Sequence, residues 1–228
     1  MGLMIEIEKK YRVLDFHHIK DFLKPMNYVS SGRIVDQYFD TVDGFYYQQG
    51  VFIRSRNNET LDVKFNPNHL KDKSNNDHVN CCEYSFDIPF HSSFEDLFES
   101  LRHFIDIKKP FPYSFQNFLI ENHLISLVTI DKTRSSYENE TCIIAVDDLY
   151  GFGTFIEFEA KDGTQNAQEF VQYVENLIQG LSLEPISSGY VEFALRETNE
   201  SLYKKGKYLL NNPLKNEANL LFHQSSTS

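Results

Sequence analysis

In the N-terminal stretch MIEIEKKYRV, Glu6, Glu8, Lys10 and Arg12 alternate with Ile5, Ile7 and Tyr11. Successive side chains of a β-strand point to opposite faces, so this spacing sets two carboxylates and two cations in one row. The same two-residue spacing returns along the chain. Arg54 and Arg56 share a face, as do Asp62 and Lys64, Glu83 with Ser85 and Asp87, Lys132 and Arg134, and Glu157 and Glu159; Asp147 ends the run IIAVD. Each pair alone fits an antiparallel strand with one face in water. Jointly they describe a sheet with one charged face, and that mixture of groups suits a polyphosphate bridged to divalent cations. Guanidinium and ammonium groups bind phosphate oxygens, Arg bidentately, while carboxylates hold Mg²⁺ or Mn²⁺.

The elements that must present these residues can be read from pattern. LDFHHIKDFLKPMN carries Leu14, Ile19, Phe22 and Leu23 at near-helical spacing, with Asp15 to cap the helix and Pro25 near its stop. RIVDQYFDT, VFIRSRN, TLDVKFN and NCCEYSFDI read as strands, and SLVTIDKTRSSY, TCIIAVDDLY and GTFIEFEAK as a later meander. Between the two sets lie a helix with Phe94, Leu97, Phe98 and Leu101 on one face and a helical QNFLIENHL. TQNAQEFVQYVENLIQGL and GYVEFALRETNESLYKK predict two closing helices. The first stretch completes a set of about eight strands, enough to close a sheet. The expectation is an α+β fold: an eight-stranded antiparallel closed β-barrel, a tunnel with flanking helices on its apolar outside and the charged rows within. Closure would remove exposed edges. A single domain over residues 1–210 with a tail at 211–228 is expected.

Composition limits the partners. The 228 residues carry a formal net charge of −11, which opposes non-specific binding to nucleic acid or to an anionic membrane. No apolar run is long enough to span a bilayer, and a cytoplasmic location is expected. Cys81, Cys82 and Cys142 lack both a disulfide framework and zinc-ligand spacing.

These motifs, taken in order, resemble the CYTH domain proteins, also called triphosphate tunnel metalloenzymes, over residues 5 to about 195. The E-x-E-x-K signature is matched by Glu6, Glu8 and Lys10, and the YFDT strand by Tyr38, Phe39, Asp40 and Thr41. R-x-R is matched by Arg54 and Arg56, and K-x-R by Lys132 and Arg134. VDDLYGFGTFIEFE matches the segment with Asp147, Gly151, Gly153, Glu157 and Glu159. Two departures stand out: Gly189 and Tyr190 replace the Ser-Tyr that often opens the last helix, and the loop from Asn66 to Asn80 is expanded.

The resemblance implies an eight-stranded tunnel that binds a small-molecule triphosphate. Glu6, Glu8, Asp147, Glu157 and Glu159 would hold Mg²⁺ or Mn²⁺. Lys10, Arg54, Arg56, Lys64, Lys132 and Arg134 would hold the phosphates, and Glu83 would orient them or a metal-bound water. Lys10 and Tyr38 would assist the nucleophile, Lys10 through a pKa lowered by neighbouring cations. The implied activity is metal-dependent hydrolysis of inorganic triphosphate, thiamine triphosphate or a nucleoside triphosphate. The alternatives are a class IV adenylate cyclase and a non-catalytic polyphosphate- or nucleotide-binding module. A homodimer is compatible with the sequence.

Overall fold

The computed structural model of the protein describes residues 3–71, 81–91, 94–161, 166–186 and 188–209. In chain order these form β1 (Leu3–Glu6), β2 (Glu8–Val13), α1 (Phe16–Leu23), β3 (Asn27–Asp40), α2 (Phe45–Gln48), β4 (Phe52–Arg56), β5 (Thr60–Phe65) and α3 (Pro67–Lys71). Next come β6 (Cys81–Asp87), α4 (Phe94–Arg102), α5 (Phe115–Glu121), β7 (Ile125–Glu138), β8 (Cys142–Leu149) and β9 (Gly153–Ala160). The described chain closes with α6 (Ala167–Leu177), β10 (Leu183–Ile186), α7 (Tyr190–Thr198) and α8 (Glu200–Tyr203). The expected tail at 211–228 and most of the expanded loop, 72–80, lie outside the described residues.

One antiparallel sheet holds all ten described strands in the order β1-β6-β5-β4-β3-β7-β8-β9-β2-β10. The expected eight-stranded closed barrel is thereby corrected in strand count and in closure. The N-terminal strand breaks at Ile7, and Leu183–Ile186 adds a strand beside β2. The hydrogen-bond ladder ends at β1 on one side and β10 on the other. Yet β1 and β2, at opposite ends of the ladder, are joined through Ile7 alone, so the sheet must curl until its ends lie within a residue's reach. Lys64 of β5 reaches Glu8 of β2 at 3.3 Å, although those strands stand third and ninth in the order.

The register keeps every charged row on the same side. Tyr38 stands opposite Arg54, Arg54 opposite Asp62, and Lys64 opposite Glu83. Arg134 stands opposite Asp147, Lys10 opposite Glu157, and Glu8 opposite Glu159. Directly paired residues of adjacent strands project from the same face, so these residues all line the inside of the curl. A slip of one residue would exchange the two faces, which the apolar outside forbids.

That outside is covered in two places. Ile53, Leu61, Val63, Phe65, Tyr84 and Phe86 pack under Phe94, Phe98 and Leu101 of α4 and Phe118 of α5. On the other half, Tyr11, Ile144, Val146, Ile156 and Phe158 pack under Ile19 and Leu23 of α1 and Phe170 and Val174 of α6. The Asp15 carboxylate caps α1 as expected, accepting from the His17 amide at 2.9 Å, but Leu14 is exposed. The final predicted helix is two: Asn199, outside the helical conformation, ends α7, and its side chain accepts from the Leu202 amide to start α8.

A third apolar cluster lies on the inner face. Tyr38, Ile130, Leu149 and Phe155 continue the charged rows of β3, β7, β8 and β9, and they pack against Tyr190, Val191, Ala194 and Leu195 of α7. The inner face is thus charged through its middle and apolar at one end, where α7 seals it. Phe155 is the centre of that seal, with Tyr190 and Phe193 at ring distances of 5.2 and 5.4 Å. Phe155→Ala is expected to destabilise the protein by about 3–5 kcal/mol, read as a lower urea midpoint at unchanged slope.

Candidate functional site

Two charged networks occupy the inner face. In the first, Arg54 donates from Nε to Asp62 Oδ2 at 3.0 Å and from Nη2 to Glu83 Oε2 at 3.2 Å. Arg56 makes a two-pronged contact with Asp36, at 2.8 and 3.0 Å. Ser85 Oγ donates to the second Asp62 oxygen at 2.7 Å. The partners follow from register, since Arg54 faces Asp62 and Arg56 faces Asp36 across adjacent strands. Burial opposes ionisation of Asp36, but Arg54 and Arg56 outweigh it and keep its pKa below the ordinary value. Tyr38, beside Arg54, has its phenol pKa raised by burial.

The second network centres on Asp147, which is 0% exposed. Its Oδ2 accepts from Lys132 Nζ at 2.8 Å, Arg134 Nη2 at 2.6 Å and the Tyr190 hydroxyl at 2.9 Å, and its Oδ1 accepts from Arg134 Nε at 2.6 Å. Arg134 also reaches Glu157, which holds Lys10 Nζ at 2.8 Å. The Tyr190 ring lies against both ammonium groups, 4.3 Å from Lys10 Nζ and 4.9 Å from Lys132 Nζ. Lys64 and Glu8, at 3.3 Å, connect the two networks across the curl.

The electrostatics reverse one expectation. Burial would lower the Lys10 pKa, but Glu157 and Glu8 outweigh it and the net shift is upward. Lys10 is a fixed cation rather than an activated base. The lysine whose pKa falls is Lys132, to about 8, through burial and then the repulsion of Arg134. Glu157 is held well below the carboxylate range by Lys10, Arg134 and Lys132 against the opposing effect of burial.

The structure brings Lys10, Tyr38, Arg54, Arg56, Lys64, Glu83, Lys132, Arg134, Asp147, Glu157, Glu8 and Glu159 onto one face. Of Glu6 it describes the backbone, paired with Cys81 on the adjoining strand. Among the described residues no three His, Cys, Asp or Glu side chains form a ready cage for a metal ion. The donor set nonetheless fits one. Glu8 and Glu159 stand directly opposite each other in the β2–β9 ladder, and carboxylate oxygens are the donors that a hard divalent cation takes. Both oxygens of Asp147 are bonded to the cations of its own network.

The spacing of charged pairs missed Asp36, although it alternates with Tyr38 in IVDQYF and could have been found there. It also passed over Glu192, the one acid in the fully buried run from Tyr190 to Leu195. Of the YFDT stretch, Asp40 serves the fold. Its carboxylate accepts from the amides of Thr41, Tyr46 and Tyr47 and fixes the start of α2.

No helix among the described residues is long and apolar enough to cross a membrane. The fold is shared with solved structures at low sequence identity. The PH1819 protein of Pyrococcus horikoshii OT3 is 17% identical, with a TM-score of 0.56, over 84% of this chain and 99% of its own. The PH1012 protein of the same organism is 18% identical, with a TM-score of 0.54, over 83% of this chain and 99% of its own. Hippeastrum HpAC1, a proposed adenylyl cyclase that reveals a dominant triphosphatase activity, is 18% identical, with a TM-score of 0.52, over 86% of this chain and 95% of its own. No curated protein matches the sequence. The CYTH domain model matches residues 4–188, which span β1 to β10 and every charged row of the inner face, and the chain therefore belongs to the CYTH domain family.

Proposed function

We propose that the protein is a divalent-metal-dependent hydrolase of a triphosphate-containing substrate, with the curled sheet acting as a tunnel. The observation that carries this reading is the composition of the inner face. Lys10, Arg12, Arg54, Arg56, Lys64, Lys132 and Arg134 are outnumbered there by Glu8, Asp36, Asp62, Glu83, Asp87, Asp147, Glu157, Glu159 and Glu184. A triphosphate anion would meet an excess of acid unless divalent cations entered with it. Glu6, Glu8, Glu157 and Glu159 are the residues that would hold Mg²⁺ or Mn²⁺, which would neutralise charge developing on the phosphate oxygens.

The cations are pre-set for phosphate. Asp36, Asp62 and Glu83 fix the Arg54 and Arg56 guanidinium planes, so donors to phosphate need little reorganisation. Asp147 does the same for Lys132 and Arg134, a positioning role in place of the expected ligand role. Tyr38 keeps its proton through burial and offers a hydroxyl beside Arg54, where Glu83 can accept a hydrogen bond from the attacking water.

Two points favour hydrolysis over cyclisation. A cyclase must hold base and ribose in line with the α-phosphate, and the described inner face is a phosphate cradle. HpAC1, which shares the fold, has triphosphatase as its dominant activity.

The deciding assay supplies tripolyphosphate, thiamine triphosphate and ATP with Mg²⁺ or Mn²⁺, and measures phosphate, pyrophosphate and cyclic AMP separately. Phosphate is expected to predominate. Cyclic AMP and pyrophosphate in equal amounts, ahead of phosphate, would reverse the assignment. Tripolyphosphate with metal is also expected to raise the melting temperature, by about 2.7 kcal/mol of stabilisation at a hundred times Kd.

Glu8→Gln combined with Glu159→Gln should lower metal-dependent turnover by at least about tenfold, the loss seen even when a group behind a metal ligand is removed. The same pair of changes removes the Glu8–Lys64 contact, so the metal-free protein should be somewhat less stable, read as a lower urea midpoint. Asp147→Ala should cost more. It leaves Lys132 and Arg134 buried without their shared partner, and a loss of about 3–5 kcal/mol in urea unfolding is expected with metal or without it.

A further inference from the structure

We infer that Glu192 is a positioning residue that works uncharged: buried at the first turn of α7, it seats that turn so that Tyr190 is held against Asp147, Lys10 and Lys132. The inference rests on the triphosphate reading for its effect on turnover, but its structural part can be tested without it.

Glu192 is 0% exposed, and neither of its carboxylate oxygens makes a hydrogen bond. It occupies the third position after Gly189, where an acid ordinarily folds back on the helix start as half of a capping box. Its Oε2 does fold back, lying 3.0 Å from where a Cβ on Gly189 would be. A Cβ at 189 would require that oxygen to give way by a few tenths of an ångström.

A capping glutamate is usually in water and ionised. This one is not in water, and the cation closest to helping it is committed elsewhere, since Lys10 is bonded to Glu157 at 2.8 Å. The partial positive charge of the α7 N-terminus favours an anion, as do the backbone amides of Gly189 and Glu192, but burial outweighs them and raises the Glu192 pKa to about 8. The charged and titratable groups that act on it are Lys10 from β2 and Tyr47 from α2, and the Tyr47 hydroxyl is itself kept protonated by burial. A neutral carboxyl therefore sits beneath the residue that joins the two lysines to Asp147. Ionising it would place an uncompensated charge under α7.

The sign of the linkage is fixed by the raised pKa. The folded protein holds a proton on Glu192 that the unfolded chain releases above about pH 4.5, so stability falls as pH rises from there to about 8 and is level beyond. Lys132, whose pKa is depressed, acts in the separate window above about 8.

The test compares wild type, Glu192→Gln and Glu192→Ala. Melting temperatures are measured from pH 5 to 9, with and without tripolyphosphate and Mg²⁺, and kcat/KM is measured across the same range. Glu192→Gln mimics the neutral carboxyl and should melt ~5 °C above wild type at pH 8.5, with the difference closing toward pH 5. Glu192→Ala should lower kcat/KM by about tenfold or more, and Glu192→Gln should recover most of it and carry activity further into the alkaline range. In wild-type protein with ¹³C-labelled glutamate carboxyls, one resonance, absent from Glu192→Gln, should titrate near pH 8. A gain for Glu192→Gln that does not depend on pH, a Glu192→Gln protein as damaged as Glu192→Ala, or a Glu192 resonance already ionised at pH 6 would each overturn the inference. If wild type hydrolyses no triphosphate while the melting and resonance results hold, the proposed function fails and the neutral seat of α7 stands.

Discussion

A charge withdrawn from water must be neutralised nearby, and the curled sheet faces that constraint through the middle of its inner side. Its solution is local. Nearly every cation has an acid on the adjacent strand, directly opposite or one step away, so the ladder that sets the register also sets the ion pairs. Asp147 carries this furthest. One carboxylate gathers Lys132 and Arg134 from β7 and Tyr190 from α7, and the seal at the end of the inner face is tied to the charges it encloses.

The pairing differs along the inner face. Around β3, β4 and β5 the acids are engaged with guanidinium groups in good geometry. Toward the break at Ile7, Glu8 meets Glu159 head-on, and Lys64 must serve both Glu8 across the curl and the neighbourhood of Glu83 on β6.

The strands and their charged face were legible because a period of two survives any tertiary context: MIEIEK, FIRSR, LDVKF and FIEFE each declare which side is polar. What the sequence concealed was set by contacts distant along the chain. The break at Ile7 arises because one strand must pair with both ends of the sheet, and no local residue signals it. Leu183–Ile186 contains Pro185, which argues against a strand, yet β10 lies at the end of the ladder, where a missing amide is tolerated. Lys10 was misjudged because its nearest cations are obvious in sequence while Glu157, its partner, is contributed by β9. Glu192 was passed over because an acid in YVEFAL reads as the wet side of a helix, and α7 has no wet side over that stretch.

On the proposed reading, the excess of acid on the inner face makes metal and phosphate depend on each other. A triphosphate entering alone would meet Glu8, Glu157 and Glu159 before its charge was offset. A divalent cation entering alone would sit near Lys10, Lys64 and Arg134. Each ligand reduces the repulsion the other faces, and because coupling between two bound ligands is reciprocal, metal must strengthen phosphate binding by the factor with which phosphate strengthens metal binding.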